Sequence, residues 1–438
     1  MKLIIKSFFK NGILCYNFRM NSSVSKPVTN KFIKIFSDYW EKFKAQVPSY
    51  NNSHVNKQIE SMMNCANPEF GYSQYMCLGC GEDSKVVAHS CKSRFCLRCG
   101  RVCGENFAIS IASKLHKDVN YRHLVLTIPM QFRNFFYKNR FTPDLYNVFM
   151  KLGYEFLKEV LKKVVGVEIE CGCLVVLHTV GRKCDFKPHL HVMLMSGGIK
   201  PDGNWIELRG FKFSILTRTW KRVLLEGLRA WDEEGMYEDI FLEVEEKYKG
   251  FYCKLDSNPA PKKQGNLIRY LSKYLCRPQI SLKRILNYNA TTGEVVYKYN
   301  SHDTGKPEVE KTDVITFIGR MVQQILPKDF KRIRYYGLQS PSNRSRLTAK
   351  VCRALGKLEL MEEVERRAQA PAKASYGELV KIWWDENPFK CKCCGAAMQL
   401  VRIWKRGKGW VYSIFEKLFG KDIGPPGVLP AHMTDQGG

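Results

Sequence analysis

Seven of the chain's 17 cysteines fall between Cys65 and Cys103, and this cluster constrains the fold more than any other feature. Cys77-x2-Cys80 and Cys96-x2-Cys99 are separated by fifteen residues. Each pair turns tightly enough to aim two sulfurs at one ion, and two pairs complete a tetrahedron. The spacing therefore predicts a zinc site built from Cys77, Cys80, Cys96 and Cys99, with an iron–sulfur cluster as the competing reading. Cys65, His89, Cys91 and Cys103 remain over and offer a second, less regular site. A four-cysteine shell leaves no open position, so zinc here is expected to be structural. The odd cysteine total and the CxxC spacings favour metal thiolates in a reducing compartment over a disulfide framework. Lys92, Arg94, Arg98 and Arg101 are interleaved with the ligands. They balance thiolate charge or meet phosphates.

The rest of the composition narrows the class. At 438 residues the chain can form two or three domains with real cores, and 45% apolar residues argue against a mainly disordered protein. Its 70 basic and 42 acidic residues give a formal charge of +28, which favours a polyanionic partner, nucleic acid first. No apolar run is long enough to span a bilayer, and the opening MKLIIKSFFKNGILCYNF shows no cleavage-site pattern of a signal peptide.

Four regions follow from the pattern: a basic lead at 1–58, a zinc-binding module at 59–112, an α/β domain at 113–347 and a helical, cysteine-containing tail at 348–438. The lead contains KFIKIFSDYWEKFKAQVP, with apolar residues at helical spacing. In the third region YRHLVLTIP, CGCLVVLHTV and HLHVMLM read as strands. LYNVFMKLGYEFLKEVLKK and FKFSILTRTWKRVLLEGL read as helices. Strands alternating with helices predict a two-layer α/β domain. NYNATTGEVVYKYNSHDTGKPEVEKTDVITF reads as a hairpin, and CRALGKLELMEEVERRAQA as a charged helix opening the tail.

The run KPHLHVML places His189 and His191 on one face of a strand, where side chains repeat every two residues. Downstream, RYLSKYLCRP places Tyr270 and Tyr274 four apart, on one face of a helix. Two imidazoles can hold a divalent cation, and a tyrosine beside it can attack a phosphodiester. An HxH alone is more often a pair of ordinary strand histidines. Here it is accompanied by a basic helix with Arg269, Lys273 and Arg277. A second basic run follows, Lys331, Arg332 and Arg334 before Tyr335-Tyr336-Gly337, with Arg344 and Arg346 beyond it.

Taken together, CLGCG…SCKSRFCLRCG, YRHLVLTIP, VLHTVG, PHLHVML, YLSKYLCRP and RIRYYGLQSP resemble the rolling-circle transposases of the IS91 family, in the HUH endonuclease superfamily. The similarity spans about residues 60 to 400 and includes NPFKCKCCGAAM, which resembles a late cysteine knuckle of the family. The resemblance implies an antiparallel sheet backed by helices, with His189 and His191 as paired ligands of Mg²⁺ or Mn²⁺. It also implies Tyr270 as first nucleophile, Tyr274 as the second, and cleavage of single-stranded DNA through a 5′-phosphotyrosine. Leu97 stands where the family more often has proline, and GYSQY lacks an expected histidine. Both departures bear on the ligand set around Cys65.

His178 in VLHTVG is the candidate third ligand, with Gln279, Glu243 and Glu245 as looser ones and His123 read as structural. Lys331, Arg332, Arg334 and Arg344, with Arg269, Lys273 and Arg277, are expected to contact DNA. Cys391 and Cys394 form half a metal site, awaiting a distant donor such as Cys352 or His432. The tail's tryptophans, interleaved with Lys and Arg, suit either base stacking or a small core. The expected function is a metal-dependent tyrosine transposase acting on single strands, cytoplasmic and nucleoid-associated in a prokaryotic host. The alternatives are a rolling-circle replication initiator or relaxase-like nickase with the same chemistry, a non-catalytic zinc-dependent DNA-binding regulator, and a transposase using acidic residues.

Overall fold

The computed structural model describes residues 30–116, 118–208, 210–276, 278, 280–301, 305–357 and 389–419, with the backbone of Ser23–Val24. Two sheets carry the functional residues. Their strands, in chain order, are β1 (Ser23–Val24), β2 (Gly71–Met76), β3 (Ser84–Ala88), β4 (Tyr121–Thr127), β5 (Gly172–Val180), β6 (Phe186–Met195), β7 (Cys253–Leu255), β8 (Ile333–Gly337), β9 (Gln399–Lys405) and β10 (Gly409–Ser413). The helices that matter are α1 (Lys31–Gln46), α2 (Leu97–Ala112), α3 (Pro143–Val165), α4 (Phe213–Trp231), α5 (Gln264–Leu271) and α6 (Arg344–Ala354). No helix among the described residues is long and apolar enough to cross a membrane.

The chain forms two compact units, one drawn from Met1–Lys34, Glu60–Val102 and Ala374–Gly438, the other from Ile35–Ile59 and Cys103–Lys373. The first unit therefore joins the cysteine-rich stretch to the tail, which the four consecutive regions read from the sequence kept apart. Its sheet runs β1-β3-β2-β9-β10. The tail strand β9 pairs antiparallel with β2, from Gln399 opposite Met76 to Lys405 opposite Gly71.

In the second unit the sheet runs β8-β5-β6-β4-β7, and each neighbouring pair is antiparallel. The pleat sends alternate residues of β6 to opposite faces. Leu190, Val192 and Leu194 join a core with residues of α3 and α4, including Phe149, Phe156 and Trp220. Met193 and Met195 point to the other face, where Leu271, Leu275, Leu338 and Val351 cover them. The expected two layers are thus three, because β4, β5 and β6 are apolar on both faces and both need cover. α3 begins with Pro143 in its first turn and ends at Gly166, whose φ of +83° suits a helix stop. Within α3, Gly153 lets the helix lie against the sheet: a Cβ there would come within 2.9 Å of Leu190 Cδ1.

Two further expectations change. The hairpin between 287 and 317 is a three-stranded antiparallel sheet, Ile285–Asn289, Glu294–Asn300 and Pro307–Asp313. The tyrosine helix is not uniform: α5 stops at Leu271, and Ser272–Cys276 forms a π-helical turn. Most of the charged helix expected at 352–370 lies outside the described residues, apart from its start in α6.

Candidate functional site

The sheet of the second unit brings four histidines together on one face. On β6, His189 and His191 sit opposite His178 and Val176 of β5, and His191 also sits opposite Val125 of β4. His178, His189 and His191 each offer a ring nitrogen, and the three lie within 4.8 Å of one another. Hydrogen-bond partners fix the tautomers. His189 donates from Nδ1 to the Lys187 carbonyl (2.6 Å), and His178 donates from Nε2 to the Leu275 carbonyl (3.1 Å). Nδ1 of His191 meets Nε2 of His123 at 2.7 Å, and Nδ1 of His123 meets Oδ2 of Asp256 at 3.2 Å. A carboxylate only accepts, so His123 donates to Asp256 and accepts from His191. That leaves the Nε2 lone pairs of His189 and His191 facing each other at 3.1 Å. Two lone pairs at this distance repel unless a cation lies between them. Two nitrogens about 2.1 Å from one octahedral ion and at right angles would be about 3 Å apart. The histidines fit a divalent ion.

Burial favours the neutral form of His178 and His191, the form a ligand must have. Desolvation pushes His191 and His178 well below the ordinary imidazole range, and neighbouring cationic groups add to the shift. Desolvation also lowers His123, against the opposing pull of Asp256.

Asp256 extends this chain to a phenol. Tyr270 donates its hydroxyl to the same Oδ2 at 2.9 Å, and its ring stands perpendicular to that of His123, centroids 6.1 Å apart. Position follows from local folding: β7 pairs with β4, and the Asp256 amide then donates to the His123 carbonyl at 2.9 Å. No sequence motif points to Asp256, and His123, expected to be structural, instead joins the site. The only sequence signal was the odd-numbered register of His123 on the same strand face as Tyr121 and Val125. Tyr274 lies in the π turn, and its side chain is outside the described residues, as are Arg277 and Gln279. The turn itself is anchored, since the Leu275 carbonyl accepts from both His178 and Arg332 (3.0 Å).

Several residues expected at the DNA have other work. Besides Arg332, Arg344 donates to the carbonyls of Lys114 (2.7 Å) and Ser113 (3.0 Å), and Arg334 donates to Asn147. These guanidiniums brace the fold. Arg269, Lys273 and Lys331 are exposed. Glu243 bonds Gln131 and Glu245 pairs with Arg229, so neither joins the histidines.

The cysteines do not group as the spacing suggested. Cys65, Cys91, Cys96 and Cys99 form one quartet, and Cys77, Cys80, Cys391 and Cys394 form another. In the first, Cys99 Sγ lies 3.5 Å from that of Cys65 and 3.3 Å from that of Cys91. In the second, Cys77–Cys394 and Cys80–Cys391 are 3.5 and 3.6 Å apart. Sulfurs about 2.3 Å from a tetrahedral zinc are about 3.8 Å apart, so both quartets fit structural Zn²⁺. The correction has a simple cause: β3 intervenes between the two CxxC pairs and, running back antiparallel to β2, carries the second pair away from the first, so each meets a different partner. Cys96 and Cys99 flank the start of α2, where the helix dipole favours thiolate. The amide of Cys394, then that of Cys393, hydrogen-bonds the Cys391 sulfur and lowers its thiol to about 7. His89 and Cys103 belong to neither quartet; His89 Nε2 instead meets Ser73 Oγ at 3.0 Å. Cys352 is buried in α6, and His432 lies outside the described residues.

Comparison with known proteins agrees with this layout. A family model described as "Putative transposase" matches residues 172–346, and one described as "Transposase zinc-binding domain" matches residues 35–128. The chain is 26% identical over 357 residues to "Transposase for insertion sequence element IS801" of Pseudomonas savastanoi pv. phaseolicola, covering 78% of this chain and 82% of the relative. It is also 26% identical over 361 residues to "Putative transposase y4qJ" of Sinorhizobium fredii, covering 79% and 89%. No solved structure matches the chain.

Proposed function

Because the chain belongs to the IS91 family of transposases, we propose that it cuts and rejoins single-stranded DNA at element ends through a 5′-phosphotyrosine on Tyr270. One observation carries the reading: an unbroken set of hydrogen bonds links the Tyr270 hydroxyl, through Asp256 and His123, to His191 of the histidine pair. In this reading the sheet is the HUH nuclease fold, with the histidines on its central strand and the tyrosines on the helix that covers them.

His178, His189 and His191 would hold Mg²⁺ or Mn²⁺. Such an ion, when bound, offsets the charge that develops on the scissile phosphate. The remaining steps belong to the protein. Asp256 orients the phenol and accepts its proton as Oη attacks phosphorus, a needed service because free tyrosine titrates near pH 10. The new bond is P–Oη of Tyr270, and the bond broken is P–O3′, which leaves a 3′-hydroxyl after protonation. Attack by a 3′-hydroxyl on the phosphotyrosine reverses the step, returns the proton to the phenol and needs no ATP. Tyr274 would provide a second nucleophile while Tyr270 remains occupied. The exposed Arg269, Lys273 and Lys331 would hold backbone phosphates.

The test uses a labelled single-stranded oligonucleotide carrying an element end, with Mn²⁺ or Mg²⁺. Wild-type protein should give an SDS-resistant adduct, and Tyr270→Phe combined with Tyr274→Phe should abolish it. An adduct of undiminished yield in the double variant overturns the nucleophile assignment.

A further inference from the structure

We propose that Cys77, Cys80, Cys391 and Cys394 bind a zinc ion that clips the tail of the chain to its cysteine-rich module. Both family matches end by residue 346, so half of this site lies beyond either of them. The two pairs are built as matching knuckles. In one, Cys77-Leu78-Gly79-Cys80 is followed by Gly81 at φ +75°, whose amide donates to the Cys77 carbonyl at 3.0 Å. In the other, Cys391-Lys392-Cys393-Cys394 is followed by Gly395 at φ +72°, whose amide donates to the Cys391 carbonyl at 3.1 Å. Positive φ is the conformation glycine supplies without strain, and here it turns both chains away from the sulfurs. The match extends outward, since the Cys77 amide donates to the Asp83 carbonyl and the Cys391 amide to the Ala396 carbonyl, each at 2.9 Å. The amides of Cys393 and Cys394 also point at the Cys391 sulfur, at 3.3 and 3.4 Å.

Direct contacts hold the knuckles face to face. The Lys392 amide donates to Asp83 Oδ2 at 2.7 Å, and Lys85 Nζ donates to the Lys390 carbonyl at 2.6 Å. The clip also sits where it fixes a strand register. Cys77 follows Met76 at the end of β2, and Met76 pairs with Gln399 at the start of β9. Tail strand β9 lies between β2 and β10, so the tail is an inner part of this sheet. Ligands 311 residues apart mean that the site can form only after the second unit has been made. A chain lacking the tail would keep the Cys65, Cys91, Cys96 and Cys99 site and lose this one.

Cys393 supplies an internal control. It lies between two proposed ligands, is exposed, and belongs to neither quartet. In full-length zinc-containing protein, brief alkylation followed by peptide mapping should label Cys393 at least about tenfold faster than Cys391 and Cys394, because a bound thiolate is a poor nucleophile. Chelation should remove the difference. Metal analysis should find two zinc ions per chain, one for each quartet, and one in the Cys391→Ser/Cys394→Ser variant. The labelling is done on wild-type protein, so it decides the matter even where the variant fails to fold. Equal labelling of the three cysteines before chelation, or two zinc ions retained by the variant, overturns the proposal.

Discussion

Asp256 is the residue whose replacement should be most revealing, because a single oxygen serves both the phenol and the histidines. In Asp256→Asn the shape is kept, but one oxygen becomes a donor. Presented to Tyr270 and His123, the new NH₂ would face two further donors at 2.9 and 3.2 Å. Presented the other way, the amide oxygen accepts more weakly and takes no proton. Hydrogen bonds to a charged group contribute about 1.5–3 kcal/mol each, and loss of a positioned base costs about 10² to 10⁴ in rate. We expect adduct formation to slow about 10²- to 10³-fold, equivalent to about 3–4 kcal/mol. The pH profile should shift as well, since rate would depend on spontaneous phenol ionisation and rise with pH further into the alkaline range. Single-turnover cleavage at saturating oligonucleotide separates this from weaker DNA binding. A variant within about threefold of wild type, with an unchanged pH profile, would refute the role of Asp256 in preparing the phenol.

Other consequences follow from the packing and the buried charges. Gly337→Ala places a Cβ against the Cys171 carbonyl at a φ of +56°, and should destabilise the second unit by at least about 2 kcal/mol in urea unfolding. Leu190→Ala removes a fully buried side chain between β6 and α3 and should cost about 2–5 kcal/mol, read the same way. His178 and His191 have folded pKa values below the ordinary one, so the unfolded chain takes up protons first. The ion-free protein should therefore be most stable above about pH 6.5 and lose stability as pH falls through that value toward the lower folded ones. Stability unchanged between about pH 7.5 and 5.5 would contradict their burial as neutral rings.

Much of the candidate site was legible in the sequence because it rests on short periodicities. A two-residue strand repeat aligns His189 with His191, and alternate apolar residues announce that the strand is buried on its other face. His178 was legible for the same reason, being one strand away and opposite His189. Asp256 was not, because its place comes from the pairing of β7 with β4 and no motif encodes that. The helix carrying Tyr270 passes at Ser272 into a π turn that no spacing rule announced, and the Leu275 carbonyl in it is claimed by two side chains. Cysteine spacing identified knuckles but could not pair them. Which knuckle meets which is decided by sheet order, and the tail strand that brings Cys391 and Cys394 to Cys77 and Cys80 is more than 300 residues away.

The central claim is that the Tyr270 oxygen becomes bonded to DNA phosphorus. Protease digestion and mass spectrometry of the purified adduct test it directly. We predict a nucleotide phosphate on the peptide containing Tyr270, with any second modification confined to Tyr274. An adduct carried by another residue, or cleavage with a free 5′-phosphate and no protein attached at any time point, would contradict the account.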